Sequence, residues 1–94
     1  MVMEIKSFKL GKIVATPNAL EVLERNGRGA KEFLDRHSNK DWGDICAEDA
    51  ALNDDAVIHY MRIMSAYKIN KREKIWIITE WDRSVTTILL PEDY

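Results

Sequence analysis

Apolar and polar positions alternate most cleanly between Lys74 and Trp81. Ile75, Ile77, Thr79 and Trp81 face one way there, and Lys74, Trp76, Ile78 and Glu80 the other. Both sets hold large apolar side chains, so the pattern predicts a central strand covered at least partly on both faces. The β-branched content opposes a helix, in which such side chains lose rotamers against the preceding turn. Asp82-Arg83-Ser84 carries turn chemistry, with the Asp82 carboxylate placed to accept backbone N–H groups just ahead. Ser84 to Leu90 returns as a second strand until Pro91 removes a ladder donor. Met61 to Ile69 alternates more weakly and joins the central strand through the charged loop Asn70 to Glu73. The three segments predict an antiparallel meander, with Trp76 or Ile77 buried at its centre.

Upstream, Ile5 to Ala15 reads as a strand with Phe8 and Leu10 inward. Gly11 interrupts it, the mark of a bulge or a close backbone approach. Lys6, Lys9 and Lys12 suit a sheet edge, where charge discourages pairing with another molecule. Thr16-Pro17 starts a helix, Thr16 as cap and Pro17 where its missing donor is harmless. Leu20, Val22 and Leu23 form its apolar stripe, and Asn26-Gly27 ends it with a left-handed residue. A second helix runs from Gly29 to His37, with Ala30, Phe33, Leu34 and His37 on one face. Asp44 to Asp54 predicts a third, thinly apolar through Ile45, Leu52 and Ala56, and Asp54 to Tyr60 reads as irregular or as fraying helix. The expected fold class is α+β in a single domain, residues 1–94. It has an N-terminal strand, two to three short helices and the meander, with the helices on one face of a small sheet.

Composition narrows the setting. The one cysteine, Cys46, permits no internal disulfide and reads as a small core residue in a reducing compartment. Lysines break up the apolar character of Met1 to Thr16, and no run approaches the roughly 20 apolar residues of a membrane helix. The expectation is a cytoplasmic protein that does not cross a membrane. Between Asp41 and Met61 stand six acids and no lysine or arginine. That local block disfavours broad nucleic-acid binding, which needs clustered cations to release counterions.

The segments RHSNKDWGDICAEDAALND, SAYKI and KIWIITEWDRSVTTILLPEDY resemble a family of short bacterial proteins labelled plasmid-related or hypothetical. The likeness runs from FKLGKIVATPNAL to LLPEDY and rests on DWGD, SAY, WIITE-x-DRS and TTxLLP. Trp81 departs from it, standing where a smaller residue is usual. The resemblance implies a mobile-element setting and no particular activity.

Candidate chemistry centres on His37, at a helix end, with Asp41 close enough in sequence to orient an imidazole for acid–base work. The bland alternative is a partly buried histidine whose charge favours the helix C-terminus. Ser65 and Thr79 offer hydroxyls on one sheet face, and Arg83 offers a cation, either to steady a phosphate or to bridge the Glu80 and Asp82 carboxylates. These five residues, His37, Asp41, Ser65, Thr79 and Arg83, form the catalytic candidate, expected where the His37–Asp41 loop meets the strands. An element order of strand, two or three helices and three strands, resembling small ribonuclease toxins of the barnase and mRNA-interferase kind, gives that candidate a metal-independent endoribonuclease reading by analogy alone. The competing reading is a non-enzymatic accessory or regulatory protein acting by protein contact. Its surface would be Trp42, Asp44, Glu48, Asp49 and Asn53, with Trp42 either an anchor for its own loop or part of a partner site. The spacing of the acids matches no cation loop, and there is no Gly-rich phosphate loop or Cys/His pattern, so neither metal nor cofactor is expected.

Overall fold

The computed structural model describes residues 7–94. The first helix is capped at Thr16, whose extended backbone turns into helix α1 (Pro17–Arg25) while its hydroxyl accepts the Ala19 N–H at 3.1 Å. Arg28 N–H and Gly27 N–H close the far end onto Leu23 and Glu24 carbonyls, with Gly27 in the left-handed region. Ala19, Val22 and Leu23 are the buried face of α1, whereas Leu20, expected in the stripe, is half exposed. Helix α2 (Ala30–Ser38) buries Phe33 and His37. Helix α3 (Ala47–His59) starts later and runs further than the sequence indicates. The stretch Asp54–Tyr60, expected to be irregular or fraying helix, is regular helix through His59. Ala56 is buried and Val57 half-buried, which supplies the packing that the polar pattern hides, and Tyr60 in the left-handed region ends it.

The meander is present as β2 (Ile63–Lys68), β3 (Lys74–Thr79) and β4 (Val85–Leu89), paired antiparallel in that order. The upstream strand is β1 (Lys12–Ala15), much shorter than the expected Ile5 to Ala15. Ile5 and Lys6 lie outside the described residues, and Phe8 and Leu10 are buried without being in a strand. β1 lies parallel to β4, so the sheet is mixed, ordered β1-β4-β3-β2. Gly11 has the close approach expected of it: a Cβ there would sit 2.4 Å from the Arg83 and Ser84 carbonyl oxygens.

One face of the sheet carries Ile63, Ser65 and Tyr67, then Ile75, Ile77 and Thr79, then Thr86 and Ile88, as the register requires. α1 and α2 pack Ala19, Val22, Leu23 and Phe33 on its Tyr67–Ile75–Ile77–Ile88 half. Phe8, Leu10, Trp42 and Ala56 of α3 cover the Ile63 end. Ile77 is fully buried and Trp76, on the opposite face, only half. Trp81 lies past the end of β3 and is 63% exposed, so it does not continue the buried face of Ile75, Ile77 and Thr79 as the alternation suggests. Cys46 caps α3 and is exposed rather than a core residue. Among the described residues no helix is long and apolar enough to cross a membrane.

Candidate functional site

The structure brings His37, Ser65 and Thr79 together under the helices. His37 Nδ1 lies 2.6 Å from Ser65 Oγ, and Nε2 lies 2.8 Å from Thr79 Oγ1. The chain of hydroxyls then continues, since Thr79 Oγ1 is 2.8 Å from Thr86 Oγ1, which donates to the Leu10 carbonyl at 2.7 Å. Counting hydrogens fixes every direction. Thr86 gives its only proton to Leu10, so it must accept from Thr79. Thr79, its proton spent, must accept from His37 Nε2–H. A neutral ring then leaves Nδ1 as acceptor for Ser65. A neutral imidazole therefore lets five groups on five separate segments bond in one arrangement.

That arrangement is closed. His37, Ser65, Thr79 and Thr86 have no solvent-accessible surface, and the rings of Phe8 and Trp42 stand edge-on to the imidazole at 5.3 and 5.8 Å. Burial, and secondly the Arg83 charge, push the imidazole pKa down to about 3. Catalytic acid–base work needs a proton that reaches a substrate, and here both ring nitrogens are spent on internal hydroxyls.

The other catalytic candidates are placed elsewhere. The Asp41 carboxylate is held by Arg36 at 2.7 and 3.2 Å, which lowers its pKa, and does not orient the imidazole. Arg83 bridges no carboxylates among the described residues. Its guanidinium donates to the carbonyls of Ala56, Met61 and Glu80 at 2.7, 2.7 and 3.1 Å, so it caps the C-terminus of α3 and ties it to the β3–β4 turn. Phe8 and Tyr60 lie beside it as cation–π partners. The Asp82 carboxylate accepts the Ser84 N–H, as the turn chemistry predicts.

The interaction candidates divide. Trp42 is buried, and its indole N–H donates to Asp54 at 3.0 Å, so it anchors its own loop. Asn53 is also buried, its amide giving one bond to Met64 C=O at 2.7 Å and taking one from Met64 N–H at 3.2 Å. Asp44 accepts the Lys68 N–H at 2.8 Å. Glu48 and Asp49 are exposed, as is Asp55, and none of the three has an ion-pair partner among the described residues. Asp54, by contrast, also lies 3.8 Å from Lys40. On the outward face of α3, Leu52 and Ile58 are 63% and 67% exposed between these carboxylates. Leu52, expected in the apolar edge of this helix, is thus on its exposed side, and the exposure of Ile58 is not foreseen from the sequence. Ile58 stands two residues after buried Ala56 and five after buried Asn53, which turns it away from the buried side, whereas Leu52, one turn before Ala56, carries no such signal.

Among the described residues no three His, Cys, Asp or Glu side chains gather to hold a metal ion. No family model, curated protein or solved structure matches the chain.

Proposed function

We propose that the protein is a non-enzymatic accessory or regulatory protein that acts by contact with another protein through the outward face of α3. One observation carries the reading: Leu52 and Ile58 stand exposed beside Glu48, Asp49 and Asp55, whose charges have no partner among the described residues. Large apolar side chains on a helix face fall there only at a cost in exposed apolar surface, and free carboxylates around them select a cationic occupant. The partner of that chemistry is a basic amphipathic segment, its apolar residues on Leu52 and Ile58 and its lysines or arginines on the acids. The mobile-element setting rests on the resemblance of the sequence segments alone. The ribonuclease alternative has no observation of this kind behind it, because its intended base is the enclosed His37.

The test is an amide-resolved NMR titration with an 18-residue Leu/Lys amphipathic peptide, repeated on Leu52→Lys/Ile58→Lys. Saturable, salt-sensitive shifts confined to α3, lost in the double variant, are the expected result. Shifts scattered over the whole surface, or unchanged in the variant, overturn the reading.

A further inference from the structure

The two edges of the sheet are finished differently. On the β2 edge, the outward backbone groups of Met64, Ala66 and Lys68 are met one after another. Asn53 takes both of Met64, Trp42 C=O and Asp44 N–H take Ala66 at 3.2 and 2.7 Å, and the Asp44 carboxylate takes Lys68 N–H. The β1 edge has nothing equivalent. Lys12 N–H and Thr16 N–H bond inward to Ser84 and Ile88. By strand alternation Ile13 and Ala15 therefore turn their N–H and C=O outward, and they meet no partner among the described residues. Beside this edge runs a groove of about 530 Å³ lined by Phe8, Lys9, Leu10, Gly11, Ile13 and Arg83. Ile13 stands in it 48% exposed. Lys9 and Lys12 are exposed next to it and form no ion pair among the described residues.

We infer that β1 is a strand-addition site for an extended segment of a partner protein that alternates apolar and acidic residues. The backbone of the incoming segment pairs with Ile13 and Ala15, one apolar side chain enters the groove against Phe8, Leu10 and Ile13, and its acids meet Lys9 and Lys12. Charge selects this occupant over a second copy of the chain. Pairing β1 with itself would bring Lys9 and Lys12 of both copies to one seam, the arrangement that edge lysines resist. The site is distinct from the α3 face, since it uses a strand edge, a groove and cations where α3 offers a helix, a ridge and acids.

A display library of random dodecamers is panned against the immobilised full chain, and the most enriched peptide is titrated by amide-resolved NMR. The expected enrichment is an alternating apolar–acidic pattern. Shifts should be confined to residues 8–15 and 83, with new hydrogen-exchange protection at the Ile13 and Ala15 amides. Ile13→Pro removes an outward donor and leaves the bonds to β4 intact, so it should weaken binding about tenfold with the remaining spectrum unchanged. Lys9→Glu/Lys12→Glu should also weaken it, and reads the charge contribution even where the proline variant fails to fold. No enrichment, enrichment of basic peptides, or shifts on α3 overturns the inference. So does protection of Ile13 and Ala15 in the protein alone at a dimer's sedimentation rate, which assigns the edge to a second copy. Because the α3 proposal is read from Leu52 and Ile58, failure of either leaves the other standing.

Discussion

β2 and β1 are the two outer strands of one sheet, yet only β2 is sealed. Its seal is built from three kinds of group, a side-chain amide, a piece of loop backbone and a carboxylate, each replacing part of a missing neighbour strand. β1 is protected by shortness and by lysine charge instead. The lesson concerns how an edge is made safe. Saturating its hydrogen bonds closes it to every partner, whereas charging it closes it only to partners of the same sign.

The largest effect expected concerns the polar chain that runs from β2 through α2 to β4 and the segment before β1. The His37 pKa is near 3 in the folded protein and near 6.5 unfolded. The folded state therefore binds fewer protons between those values, and stability is fully present above about pH 6.5. It falls as pH drops through that window, by a total on the order of 4 to 5 kcal/mol. Chemical denaturation from pH 7 to 3.5 measures this. The pH slope should be smaller by nearly one proton in His37→Gln, and an unchanged slope would show that the imidazole titrates normally.

Breaking the seal on β2 comes next. Asn53→Leu leaves Met64 N–H and C=O buried without partners and should cost about 3 kcal/mol in urea denaturation, with concentration-dependent association as the edge opens. A monomer that loses under about 1 kcal/mol would mean that the amide contributes no seal. Asp44→Ala removes only one charged acceptor at an exposed position, and a loss of about 1 kcal/mol is expected. On the other edge, Ile13→Thr keeps β-propensity and touches no inward bond, so a change within about 0.5 kcal/mol sharpens the contrast. A cost there as large as that of Asn53→Leu would erase the distinction between the two edges.

Local chemistry was legible in the sequence wherever one residue type answers a local need. Thr16-Pro17, Gly27, Gly11 and the Asp82 turn all behave as read, and alternation placed the three meander strands to within one or two residues of their ends. His37 meeting Ser65 and Thr79 was legible too, from an imidazole at a helix end and two hydroxyls on one sheet face. Its complete enclosure was not, because Phe8 and Trp42 arrive from distant segments to cover it. The parallel β1–β4 pairing has no local signal, since neither strand carries a mark of its partner. α3 misled for a related reason: Asn53 looks like a surface residue until the edge it seals is known. Arg83 misled because backbone carbonyls at a helix end, which no sequence pattern displays, took the place of the carboxylates beside it.

The order of strands across the sheet bears on how the chain reaches its native state. Thr86 and Leu10 are bonded across 76 residues, whereas β2, β3 and β4 are joined by short turns. Loop-closure entropy favours the meander forming first, with β1 arriving afterwards. During that interval the strand waiting uncovered is β4, whose exposed row includes two threonines. The segment IWII, which has the composition most prone to stack into fibrils, sits inside β3 with a neighbour on each side from the moment the meander exists. The topology thus keeps the stickiest strand out of reach of other chains even before the sheet is complete.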